Sequence, residues 1–75
     1  MQHKTQCIAQ LQATVETLEG EGMPRMSIVA ALVEVISRTA GKEEDPEVEL
    51  AHLHRAAALL SMDIDTAHAI QDLKK

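Results

Sequence analysis

Histidine, glutamate and cysteine are the residues of this 75-residue chain whose chemistry suits metal binding or nucleophilic attack. The nearest thing to a metal motif is Glu49-x-x-His52, the i, i+3 spacing with which di-iron carboxylate bundles aim two ligands inward. Such a cage needs a second copy of the pair and further inward glutamates. Neither Glu16 nor Glu34 has a histidine three residues on. His52 and His54 are two apart and leave opposite sides of a helix, so they do not chelate one ion together. His68 with Asp65 or Asp72 is an ordinary helix-surface pair. The four histidines therefore read as surface or boundary residues, and neither a metal nor another cofactor is expected. Cys7 lies beside Ile8 near the start of an amphipathic stretch with no identifiable base, which makes it an unreactive small side chain. Gly20-x-Gly22 lacks the lysine, the hydroxyl residue and the strand of a phosphate loop and reads as a turn. With no nucleophile and base brought together by spacing, no catalytic residue is assigned and the chain is expected not to be an enzyme.

The elements that carry these residues are all helical. Ile8, Leu11, Val15 and Leu18 are spaced three, four, three, the narrow seam of a heptad, and Gly20-Glu21-Gly22 closes that helix. A second helix opens at Pro24, with Ser27 as an alternative N-cap, and runs to Ala40 with Gly41 as its C′ residue. Between Ile28 and Ile36 eight of nine residues are apolar, so this helix has almost no polar face. Helices of that kind are buried ones. Asp45-Pro46-Glu47 is the strongest helix start in the chain: a capping carboxylate, a proline at N1 and acids against the positive end of the dipole. Capping and solvation account for the acidic run from Glu43 to Glu49. The third helix carries Leu50, Leu53, Ala57 and Leu60, and a turn around Ser61-Met62-Asp63 is expected to separate it from a short fourth helix bearing Ala67, Ile70 and Leu73. The expected fold is thus all-α, one domain over residues 1–75, a compact bundle of about four short helices at 4–19, 24–40, 46–61 and 64–74.

The segment Arg55-Ala56-Ala57-Ala58-Leu59-Leu60-Ser61-Met62-Asp63-Ile64-Asp65-Thr66 resembles the helix-turn-helix of factor-for-inversion-stimulation-type proteins, whose pattern is Ala-Ala-x-Leu-Leu-Gly-Ile-x-x-x-Thr-Leu ahead of a basic recognition helix. The resemblance implies that Ala56, Ala57, Leu59, Leu60 and Met62 pack the motif while Thr66, His68 and Gln71 face a DNA groove. Ser61 stands where that family has its turn glycine, Ile64 where it has an arginine and Ala67 where it has a leucine. Asp65 and Asp72 would face phosphates, with Arg55, Lys74 and Lys75 as the nearby cations.

Composition bears on partners. Phe, Tyr and Trp are absent, so the core is built from Leu, Ile, Val, Ala and Met without the side chains that bury most area. A domain this small buries only roughly 60% of its unfolded surface. A single cysteine rules out a disulfide within the chain, which leaves oligomerisation to complete the core. Seven basic against twelve acidic residues give a net charge of −5, unsuited to a general grip on nucleic acid or anionic membrane. The polar start, Met1 to Gln6, and the lone cysteine point to a soluble cytoplasmic protein. The expectation is a non-enzymatic regulatory or adaptor protein that works as a homodimer against another protein, with Ile28, Val29, Leu32, Val33 and Ile36 as its interaction residues. The alternative is a helix-turn-helix regulator that binds DNA through residues 55–75.

Overall fold

A computed structural model describes residues 2–74. Its elements are α1 (Gln2–Gly20), α2 (Arg25–Ala40) and α3 (Pro46–Leu73), and the described residues contain no strand. Close packing divides the chain within α2 into two compact units, one ending at Glu34 and one starting at Val35.

In the first unit, α1 ends in a pair of bonds that only a left-handed residue allows. The Met23 amide donates to the Leu18 carbonyl at 3.1 Å and the Gly22 amide to the Glu19 carbonyl at 3.0 Å, with Gly22 at φ +85°. This is a Schellman cap, and glycine adopts that φ without a Cβ clash. Pro24 then stands just outside α2, and its carbonyl accepts from the amides of Ser27 and Ile28. Ser27 lies inside the first turn. An Arg25 to Glu19 ion pair of 3.3 Å spans the connection; its side chains are 85% and 40% exposed, so it contributes at most about 1 kcal/mol. Ile28, 5% exposed, is the buried residue here, with Val15, Leu18 and Leu32 half-buried.

The second unit is organised around the capped start of α3. Asp45 has extended backbone, φ −89° and ψ 116°, and its Oδ1 accepts the Glu47 amide at 2.9 Å. Pro46 occupies the first turn, and Glu47 and Glu49 are its acids, as the sequence predicts. Gly41, expected as a left-handed C′ residue, is not one: among the described residues positive φ belongs to Gly22 alone. A Cβ on Gly41 would lie 3.3 Å from the Ser37 carbonyl oxygen of its own preceding turn and at ordinary contact distance, 3.8 Å, from Glu49 Oε2. Ala40 is buried at 6% exposure, and Glu49, Leu53 and Ala56 are half-buried.

Among the described residues there are three helices rather than four, because α3 continues through Ser61, Met62 and Asp63 to Leu73. No glycine or proline lies between Pro46 and the end of α3. Serine and aspartate favour caps, yet inside a helix each costs only about 0.5 kcal/mol relative to alanine. The Thr66 hydroxyl, instead of capping a new helix, donates back to the Met62 carbonyl at 3.0 Å. At about 1.5 Å of rise per residue, the 28 residues of α3 extend about 42 Å and the 16 of α2 about 24 Å.

Candidate interaction surface

Continuity of α3 joins two apolar patterns that an intervening turn would separate. Leu50, Leu53, Ala57 and Leu60 are followed at four and three residues by Ile64 and Ala67, so a single heptad seam runs for five turns. In its first half Leu53 and the adjoining Ala56 are half-buried within the second unit, while Leu50 is 54% exposed. Its second half is open: Leu60 is 47% exposed, Ile64 56% and the flanking Ile70 49%. Ile64, Ala67, His68, Ile70, Gln71 and Lys74 line an open depression of about 410 Å³ along these turns.

The five α2 residues expected to mediate interaction divide. Ile28 is buried and Leu32 half-buried, so both serve the first unit's packing, while Val29, Val33 and Ile36 are exposed. With Met26 they follow one another at three, four and three residues along the continuous helix, which keeps an apolar stripe in water. A helix that is apolar nearly all round is thus half used by its own chain.

Of the groove-facing trio in the helix-turn-helix resemblance, Thr66 bonds to its own helix, and His68 and Gln71 lie on the lip of the α3 depression. The His52 ring turns to Glu43, Nε2 to Oε1 3.0 Å, and so fastens the acidic connection to α3. Glu49, the other half of the spaced pair, places its carboxylate against Gly41. Among the described residues no three of His, Cys, Asp and Glu gather as a metal cage would require. Cys7 is exposed on α1.

Among the described residues no helix is long and apolar enough to cross a membrane. Sequence reasoning missed the open half of the α3 seam, although its signal was present as unbroken heptad spacing without a helix breaker. No family model, curated protein or solved structure matches the chain.

Proposed function

We propose that this chain is a small non-enzymatic interaction protein that self-associates, in its simplest form as a homodimer, and regulates or adapts another protein through that assembly. The observation that carries the reading is the mismatch between core and surface. Ile28 and Ala40, at 5% and 6% exposure, are the buried apolar residues among those described, while Val29, Val33, Leu60, Ile64 and Ile70 stay in water. Apolar rows left exposed along a helix, within either unit, are the kind of surface that marks interaction sites. The dispersal of the reactive side chains supports a binding role over catalysis. A reducing cytoplasmic setting goes with it, supported by a single cysteine that has no second one to pair with.

Sedimentation equilibrium at micromolar concentration tests the reading. A mass at or above twice 8.2 kDa is expected, and a stable monomer overturns it. Retardation of a specific duplex by the wild type, lost on joint replacement of Thr66, His68 and Gln71 by Ala with the helix content intact, would establish the DNA-binding alternative instead.

A further inference from the structure

We draw no further inference here: the strongest candidate, the open depression along the last turns of α3 lined by Ile64, Ala67 and Ile70, is an unpartnered helix face, and nothing in the structure shows what covers it.

Discussion

The connection from Gly20 to Pro24 and the stretch from Ser61 to Asp65 are similar in polarity, yet the chain leaves the helix at the first and stays in it at the second. What separates them is backbone chemistry. At the first, Gly22 takes φ +85° and Pro24 withholds an N–H, so continuing the helix would waste one residue's freedom and lack another's donor. At the second, every residue has a Cβ and an N–H, and side-chain preference alone pulls toward a turn. Serine and aspartate do not outweigh a hydrogen bond at each successive residue together with an apolar seam that profits from continuity. Polarity marks where a helix is free to end; glycine and proline decide that it does.

Asp63→Pro attacks that difference hardest. A proline inside α3 removes an amide and drives its ring into the carbonyl four residues back, at a cost of about 3 kcal/mol or more. The variant should lose helicity beyond residue 59, measured by circular dichroism. Retention of the helicity would mean that this stretch already tolerates a break.

Next in size is Gly22→Ala, which forces an L residue into left-handed backbone and should destabilise by about 1–2 kcal/mol in urea unfolding. The space around the glycine is open, so the loss comes from the dihedral alone. D-alanine at 22, introduced by synthesis, should reverse the sign and stabilise by about 0.4–1 kcal/mol through the unfolded chain. Asp45→Ala should cost about 1 kcal/mol by freeing the Glu47 amide, with Asn at 45 recovering most of it. Equal stability of the alanine and asparagine variants would remove the cap from the account.

These positions also mark how far the fold was legible. The Asp45-Pro46-Glu47 start is local chemistry with a single outcome, and it stands as the sequence predicts. The α1 stop at Gly20-Glu21-Gly22 was legible for the same reason, down to the element though not to which glycine turns left-handed. Gly41 was misread because a glycine after a helix need not turn left-handed, and among the described residues Gly22 is the one with positive φ. The expected turn at Ser61-Met62-Asp63 came from reading cap-forming residues as breakers. On the surface side, the apolar run of α2 was legible as a run. Its division into Ile28 and Leu32 against Val29, Val33 and Ile36 depends on which face meets the rest of the first unit, and composition does not contain that.

Ser61→Ala has the smallest expected effect, and its sign separates the two regions. Inside a continuous helix, serine competes with its own backbone for hydrogen bonds and alanine does not, so the variant should be more stable by about 0.3–0.5 kcal/mol. At the mouth of a turn or as the cap of a following helix, the same change would remove a side-chain bond to a free amide and cost about 1 kcal/mol. Urea unfolding resolves the two because they differ in direction. Midpoints should be compared at a protein concentration held fixed, since a self-associating chain gains stability by mass action. Stabilisation would place Ser61 with the helical interior residues of α3. Destabilisation would put a turn back at Ser61 to Asp63 and divide the seam between Leu60 and Ile64.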